Sequence, residues 1–290
     1  LIIPEIISNE WESRYPLTGG GPVENVQVPV CVWTRAQGLP RKILLAGFFA
    51  KKTSKFIVVS QTTHDRLSGW VGKTCKTFYQ LPNSIDLQKF TIGKKNQNLV
   101  DRYNLNNRKV IMTVGRLDGV KRYKGFDEVL DVLPSLKKKI PNIVYMIVGD
   151  GDGRSRLERK AQELGLVGNV IFCGYIPEDE KVDYYRLADA FLMPSRGEGF
   201  GIVLLEAMAC GIPVMGSKLD GSFDALKGGE LGMVVDPRNL KEVESGIVSL
   251  LDIKERKRPD GLEHYSLNNF QRNARAIVIS ELKNKSRQDG

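Results

Sequence analysis

The stretch Glu198–Val214 reads Glu-Gly-Phe-Gly-Ile-Val-Leu-Leu-Glu-Ala-Met-Ala-Cys-Gly-Ile-Pro-Val. Gly201 leads into an apolar run that predicts a helix over Ile202–Ala209. Free N–H groups at the helix start favour an anion or sugar hydroxyls. Glu198 precedes the helix and Glu206 lies just over one turn inside it, so both carboxylates can face one cleft. The alternative is a helix entry with a chance acid at each end.

Outward from this stretch, strand and helix patterns alternate from Pro82 onward. Strands separated by helices indicate a parallel, doubly wound α/β sheet. The predicted strands are Val110–Val114, Ile143–Val148, Asn169–Cys173, Ala190–Met193, Pro213–Met215 and Leu231–Val235; the predicted helices are Lys124–Lys138, Arg154–Leu164, Pro177–Leu187, Ile202–Ala209 and Leu240–Leu251.

Glycine-rich and polar segments follow four of these strands. Ligands bind such sheets at the carboxyl ends of the strands, where all four segments fall. The segments are Gly115-Arg116, Gly149-Asp150-Gly151, Gly174-Tyr175 and Pro194–Gly201. Four such loops on one edge predict a binding site. A dinucleotide fingerprint is disfavoured, because Arg154 stands where Gly149-x-Gly151 would need its third glycine.

Composition narrows the function classes. The chain has 290 residues, four cysteines without ligand spacing and only two histidines, His64 and His264. A zinc enzyme or a histidine-based triad is therefore disfavoured, and the cysteines are interpreted as buried thiols of a reducing cytosol. No apolar run approaches the ~20 residues that span a bilayer.

The net charge of +9 indicates an anionic partner. Between Asn25 and His64 there are six basic residues and no acidic one, and most of them flank the apolar segment Ile43–Ala50. Two readings stay open for the basic segment 35–55: a domain helix with solvated lysines, which is favoured, or a peripheral contact with a membrane. Nucleic acid is disfavoured because no aromatic-interleaved basic stripe accompanies the charge.

Several motifs occur together in the order found in one family. The Glu198–Glu206 block resembles the paired-glutamate motif of family-four retaining glycosyltransferases, which have the two-domain GT-B fold. The resemblance covers roughly Pro82 to Leu251. The other matching segments are Leu81–Asp86 with Phe90, Thr113–Leu117, Lys124–Asp127, Val148–Gly151 and Asp220–Ser222.

The resemblance implies a role for each matching residue. Glu198 would contact the transferred sugar and Glu206 the nucleotide ribose, while Arg116 and Lys124 would hold the diphosphate, with Lys121 as a rival to Lys124. No metal and no cofactor are implied, although Asp150-Gly151-Asp152 can alternatively be interpreted as a metal site. The resulting catalytic residues are Glu198, Arg116 and Lys124, and the donor-binding residues are Gly115, Gly149, Gly174, Tyr175, Gly199, Phe200, Gly201, Ile202, Val203 and Glu206.

The resemblance also implies two Rossmann-like domains, of which the N-terminal one is expected to be incomplete here. Gly19-Gly20-Gly21 does not follow a strand, and Val32–Arg35 stands where a His-Gly pair is expected. We predict a partial acceptor-side domain over 1–88, a donor-binding domain over 89–253 and a helical tail over 254–290 that packs back on the first domain. Before Pro82 the patterns predict strands at Phe56–Ser60 and Cys31–Trp33 and a helix from Thr62, and in the tail a helix over Phe270–Leu282.

The predicted function is hexosyl transfer from a nucleoside-diphosphate sugar to a saccharide or lipid-linked hydroxyl acceptor, with retention of configuration. The expected location is the cytoplasm or the inner face of the membrane, and cell-envelope or exopolysaccharide synthesis is the expected context. The alternatives are a nucleotide-sugar epimerase or hydrolase, and a binding module that holds a nucleotide sugar without chemistry.

Overall fold

The computed structural model describes residues 55–71, 77–121 and 123–286. The basic segment 35–55 apart from its last residue, Gly19-Gly20-Gly21, the strand predicted at Cys31–Trp33 and Val32–Arg35 lie outside the described residues. The described residues form two compact units, 55–82 with 272–286 and Asn83–Gln271. Within the described part, no helix is both long and apolar enough to cross a membrane.

The larger unit is built on a six-stranded parallel sheet. Its strands lie in the spatial order β5-β4-β3-β6-β7-β8. This corresponds to the Rossmann strand order 3-2-1-4-5-6. The strands are β3 Lys109–Val114, β4 Ile143–Val148, β5 Val170–Gly174, β6 Ala190–Leu192, β7 Val214–Ser217 and β8 Met233–Val235. The predicted α/β doubly wound fold is confirmed, and the strands agree with the predicted ones within two residues at each end.

Helices cover both faces of this sheet, so its central strands are buried throughout. All six residues of β4 are buried, as expected for a parallel strand with helices above and below. The helices are α2 Gln97–Arg102, α3 Phe126–Lys139, α4 Arg154–Glu163, α5 Lys181–Leu187, α6 Ile202–Ala209, α7 Gly221–Ala225 and α8 Leu240–Leu251. One hydrophobic cluster joins α3, α4 and α8 to alternate residues of the strands, such as Ile111, Tyr145 and Ile147.

Two helices begin later than the sequence pattern predicts. Gly125 has a left-handed backbone (φ 85°) that starts α3 at Phe126 and leaves Lys124 in the preceding loop. The segment Pro177–Glu180 forms a turn, in which the Glu180 amide donates to the Pro177 carbonyl at 3.2 Å, so α5 begins at Lys181. Both shifts place basic side chains at the edge of the sheet that carries the glycine-rich loops.

Two α-helices and one strand of the described residues were not predicted from the sequence, because they are too short to show a clear periodic pattern. Helix α2 is capped by the Asn96 side chain, and α7 is capped by the Asp220 side chain. The third is strand β2, Thr77–Gln80.

The smaller unit contains the parallel strands β1 Lys55–Val58 and β2, together with helix α1 Gln61–Val71. Its core joins Phe56, Val58 and Leu67 to Phe78. Helix α9, Leu267–Ser286, begins in the larger unit and ends in this one. There Glu281 accepts hydrogen bonds from Lys55 and Tyr79.

Candidate functional site

The strand order places the candidate site next to β3 and β6. The order reverses between these two strands, and a doubly wound sheet opens a crevice at their carboxyl ends. Gly115 and Arg116 follow β3, and the segment from Pro194 to Gly201 follows β6. Two of the four segments that the sequence predicts to bind a ligand therefore lie at the switch point.

The turn Gly149–Gly153 supports the loop that carries Arg116. The Leu117 amide donates to the Asp150 carbonyl at 3.0 Å, and the Gly153 amide donates to the Leu117 carbonyl at 2.8 Å. Gly149 has φ 128°, and a Cβ atom there would lie 2.1 Å from the Gly115 carbonyl oxygen. The glycines thus allow two backbones to touch and fix the direction in which Arg116 leaves the sheet.

The two aspartates of this turn bond to nearby backbone. Asp150 accepts from the Gly151 amide at 2.7 Å, and Asp152 accepts from the Gly119 amide at 3.0 Å. Asp152 therefore ties its own turn to the loop after β3.

Four cations line one small pocket beside this loop. They are Arg116, Lys121, Lys124 and Arg156, of which Arg156 pairs with Asp127 at 2.7 Å. Among the described residues, neither Arg116 nor Lys121 has an ion-pair partner, whereas Lys124 pairs with Glu198. Both lysines thus reach the pocket, and only Lys124 also contacts the predicted sugar-binding glutamate.

Asp118 shapes the loop between Arg116 and Lys121. Its carboxylate accepts from the backbone amides of Val120 and Lys121, at 2.9 and 2.6 Å. The bond from Lys121 is the main reason why the pKa of Asp118 lies below its ordinary value. The carboxylate therefore turns the backbone, so that the lysine side chain lines the pocket.

The Glu198 side chain is largely buried together with the Lys124 ammonium group, and 14% and 16% of the two side chains remain exposed. The Lys124 side chain also lies beside Gly115, where a Cβ atom would be 3.5 Å from Lys124 Cδ. The structure therefore brings the three predicted catalytic residues to one place: Arg116 follows Gly115, Lys124 packs on Gly115, and Glu198 pairs with Lys124.

The buried carboxylate of Asp220 anchors the loop that carries Glu198. Asp220 accepts from the Glu198 amide and the Ser195 hydroxyl, both at 2.8 Å, and from the Ser222 amide at 3.0 Å. Asp220 is 1% exposed. The sequence placed Asp220 in a matching segment without a role, and the structure gives it one: it caps α7 and anchors the loop that carries Glu198.

Glycines bring α7 and the start of α6 into close contact. Gly221 lies so near Gly199 that a Cβ atom on Gly221 would be 1.9 Å from the Gly199 carbonyl oxygen. Gly201 caps α6 with φ 91°, and Ile202 and Val203 form the first turn. The Phe200 side chain is buried against Tyr265, with ring centroids 5.6 Å apart, so a donor contact at Phe200 would come from its backbone.

Glu206 lies deeper, on the buried side of α6. Its carboxylate accepts from the Tyr185 hydroxyl at 2.6 Å and from the Lys181 ammonium group at 3.2 Å. Sequence reasoning missed both partners, although their spacing of four residues on α5 places them on one helix face. Lys181 also pairs with Glu178 at 3.2 Å, so its ammonium group lies between the carboxylates of Glu178 and Glu206.

Replacing Tyr185 with Phe tests this buried contact. The hydroxyl is fully enclosed, and burial raises the pKa of Tyr185 well above its ordinary value, an effect to which Glu206 adds. Tyr185→Phe leaves one oxygen of a buried carboxylate without its donor, so we expect a loss of about 1–3 kcal/mol in the free energy of unfolding. Urea denaturation measures it, and Tyr175→Phe is the matched control because Tyr175 is 72% exposed. Equal stability of the two variants would contradict this role of Tyr185.

Gly174 and Tyr175 lie at the end of β5, next to the same edge. The Gly149 amide donates to the Gly174 carbonyl at 2.8 Å, and Gly174 has a left-handed backbone with φ 74°. A continuous row of contacts thus runs from Gly174 through Gly149 and Gly115 to the Lys124–Glu198 pair. Glu206 belongs to a separate cluster with Tyr185 and Lys181.

Residues 96–266 match the family described as glycosyl transferases group 1. The match covers the whole six-stranded sheet and each residue of the site above. The chain belongs to this family. The finding agrees with the resemblance seen in the sequence and confirms it.

Curated relatives within this family include two inositol-related enzymes. A GDP-mannose-dependent alpha-(1-6)-phosphatidylinositol monomannoside mannosyltransferase of Mycolicibacterium smegmatis is 32% identical over 77% of this chain and 60% of its own length. A D-inositol 3-phosphate glycosyltransferase of Corynebacterium jeikeium is 34% identical over 61% of this chain and 43% of its own. The chain thus spans about half the length of the curated relatives it matches.

Solved glycosyltransferase structures share the fold. Sucrose-phosphate synthase of Thermosynechococcus elongatus superposes with a TM-score of 0.69 at 24% identity and covers 88% of this chain and 63% of its own. HepE of Anabaena, in complex with UDP and glucose, superposes with a TM-score of 0.69 at 21% identity. The match covers 82% of this chain and 67% of the HepE chain. These similarities agree with the predicted GT-B fold class.

Proposed function

We propose that this chain carries the donor-binding half of a retaining glycosyltransferase that uses a nucleoside-diphosphate sugar. One observation carries the proposal: Arg116, Lys121 and Lys124 gather at the switch point of the sheet, and the carboxylate of Glu198 reaches the last of them. Arg116 and Lys121, which have no ion-pair partner in the described part of the chain, lie beside Lys124, and this group of cations suits the charge of a diphosphate. A carboxylate next to them suits the hydroxyl groups of the attached sugar.

The proposed reaction assigns a role to each of these groups. The acceptor hydroxyl oxygen bonds to the anomeric carbon on the face from which the diphosphate leaves. The bond between that carbon and the diphosphate oxygen breaks, and the acceptor proton passes to the departing diphosphate. Arg116 and Lys124 stabilise the negative charge that develops there, a task that a metal ion performs in other enzymes. Glu198 positions the sugar.

The donor class is supported by what related proteins are named for. The mycobacterial relative is named for GDP-mannose, and the Anabaena structure contains UDP and glucose. We propose a nucleoside-diphosphate hexose as the donor. The proposed acceptor is a hydroxyl group of a saccharide or of a lipid-linked compound, such as one that contains inositol. The three-part domain division at residues 88 and 253 and the cytoplasmic location stay predictions. So do the roles in donor binding of all ten predicted residues, which are Gly115, Gly149, Gly174, Tyr175, Gly199, Phe200, Gly201, Ile202, Val203 and Glu206.

Arg116→Ala tests the donor site. The chain is titrated with UDP, GDP, ADP and their hexose conjugates, with and without magnesium, in a thermal-shift experiment and then by calorimetry. We expect one nucleotide series to stabilise the unmodified chain regardless of magnesium. We expect Arg116→Ala to weaken that binding 10- to 100-fold, since a charge-assisted contact to phosphate contributes about 1.5–3 kcal/mol.

Arg238→Ala is the matched control, because Arg238 pairs with Asp236 on the surface at 2.7 Å. It should bind nucleotides like the unmodified chain. Binding that is unchanged in Arg116→Ala would contradict the assignment of the diphosphate site. Rapid consumption of the donor without any acceptor would favour the epimerase or hydrolase reading.

A further inference from the structure

Arg196 stands two residues before Glu198 and makes three contacts with separate segments. Its amide donates to the Tyr123 carbonyl at 2.8 Å. Its guanidinium Nε lies 2.8 Å from Glu128 Oε1, and its Nη2 donates to the Pro237 carbonyl at 3.4 Å. The backbone of Arg196 thus joins the Glu198 loop to the Lys124 loop, and its side chain joins the Glu198 loop to helix α3 and to the segment after β8.

Glu128, the charged partner of Arg196, lies almost entirely inside the protein. Its side chain is 7% exposed, and Oε2 has no hydrogen-bond partner among the residues that the structure describes. Burial raises the pKa of Glu128, and the positive charge of Arg196 acts against this rise. A carboxylate in such a place depends strongly on the cation that reaches it, so Glu128 holds Arg196 in one position.

The two loops that Arg196 joins are also in direct backbone contact. A Cβ atom on Gly125 would lie 2.7 Å from the Pro194 carbonyl oxygen. Tyr123 and Gly125 flank Lys124, while Pro194 and Arg196 precede Glu198. This contact between the two loops is the junction that sets the distance between the Lys124 ammonium group and the Glu198 carboxylate. The Arg196–Glu128 pair holds the junction against helix α3.

We propose that Arg196 is a positioning residue for donor recognition: through Glu128 and the Tyr123 carbonyl, it fixes where Glu198 stands relative to the cations that hold the diphosphate. This inference rests on the proposed function. The diphosphate binds Arg116 and Lys124, while the sugar hydroxyls bind Glu198. Loosening the junction therefore weakens recognition of the sugar and leaves recognition of the diphosphate intact.

The test compares two affinities in each variant. Calorimetry gives the Kd for GDP and GDP-mannose, or for UDP and UDP-glucose if the unmodified chain binds that series. The readout is the ratio of the sugar-nucleotide affinity to the nucleoside-diphosphate affinity. We expect Arg196→Ala and Glu128→Gln each to lower this ratio about tenfold, with the diphosphate affinity changing less than threefold. We expect Arg196→Lys, which keeps the charge, to recover most of the ratio.

Two further measurements separate positioning from general stability. The double variant Arg196→Ala with Glu128→Gln should lower the ratio no more than either single variant, because both remove one contact. Arg238→Ala, which loses a surface guanidinium, should leave the ratio unchanged. Glu128→Gln preserves shape, so it reports on the contact even if Arg196→Ala folds poorly.

The outcomes keep the two proposals apart. Nucleotide binding by the unmodified chain with an unchanged ratio in both Arg196→Ala and Glu128→Gln would overturn the role of Arg196 and leave the proposed function standing. Equal losses for the nucleoside diphosphate and its sugar conjugate would overturn it as well, since they indicate general damage to the site. Absence of nucleotide binding by the unmodified chain would overturn the proposed function, and the positioning role would fall with it.

Discussion

Gly221→Ala is expected to lower the free energy of unfolding by about 3 kcal/mol and to weaken binding of the sugar conjugate relative to the nucleoside diphosphate. A methyl group at this position would lie 1.9 Å from the Gly199 carbonyl oxygen and 2.3 Å from its carbonyl carbon. The obstacle is backbone, so no change of rotamer relieves it. The Gly221 amide also donates to the Glu198 carbonyl at 3.0 Å. Separating the two segments therefore breaks this hydrogen bond and moves Glu198 away from Lys124.

Urea denaturation measures the loss of stability, and titration with the nucleoside diphosphate and its sugar conjugate measures the change in binding. Gly69→Ala is the matched control: Gly69 lies within helix α1, and a Cβ atom there would meet nothing within 4 Å. Because alanine favours the helix over glycine by about 1 kcal/mol, the control variant should be slightly stabilised. A Gly221→Ala variant that is as stable as the unmodified chain would show that α7 and the Glu198 loop do not touch as described.

The sequence predicts the sheet well, because its signals are local. Buried parallel strands such as Ile143–Val148 are uninterrupted apolar runs, and helices such as Ile202–Ala209 and Leu240–Leu251 have clear starts and ends. Their bounds agree with the structure to the residue. The glycine-rich loops after the strands are equally local signals, and they indicate the correct edge of the sheet.

The internal supports of the site are not local and were missed for that reason. Asp220 bonds the Glu198 amide across 22 residues, and Arg196 pairs with Glu128 across 68. Nothing in the sequence near either residue identifies the distant partner that it contacts. Tyr185 and Lys181 were overlooked because they reach Glu206 from another helix. Charges and aromatic residues become interpretable only when the fold supplies their partners.

The pairing of Lys124 with Glu198 changes the interpretation of both residues. Sequence reasoning assigned one to the diphosphate and the other to the sugar, as if each waited for its own part of the donor. In the structure they neutralise each other. Under the proposed function, a diphosphate that binds Lys124 would compete with Glu198, and its arrival would release the carboxylate to accept from the sugar hydroxyls. Binding of the diphosphate would thus prepare recognition of the sugar.

Glu198→Gln is accordingly expected to bind the nucleoside diphosphate about tenfold more tightly, while it loses discrimination in favour of the sugar conjugate. The substitution keeps the shape and removes the charge that competes for Lys124. The largely buried ammonium group of Lys124 loses its ion pair with Glu198, which should lower the free energy of unfolding by about 1–3 kcal/mol. The bound diphosphate then supplies the missing negative charge. The nucleotide therefore binds the variant more tightly and raises its melting temperature more than that of the unmodified chain.

Calorimetric Kd values for UDP or GDP and the matching hexose conjugate, together with melting temperatures with and without nucleotide, measure these effects. Glu242→Gln is the control, because Glu242 pairs with Lys218 on the surface at 3.1 Å and should change neither affinity. Weaker diphosphate binding in Glu198→Gln would mean that the carboxylate does not compete for Lys124. Unchanged affinity for both ligands would remove Glu198 from the donor site. Tighter diphosphate binding with a lost preference for the sugar conjugate would show that one ion pair links the two halves of donor recognition.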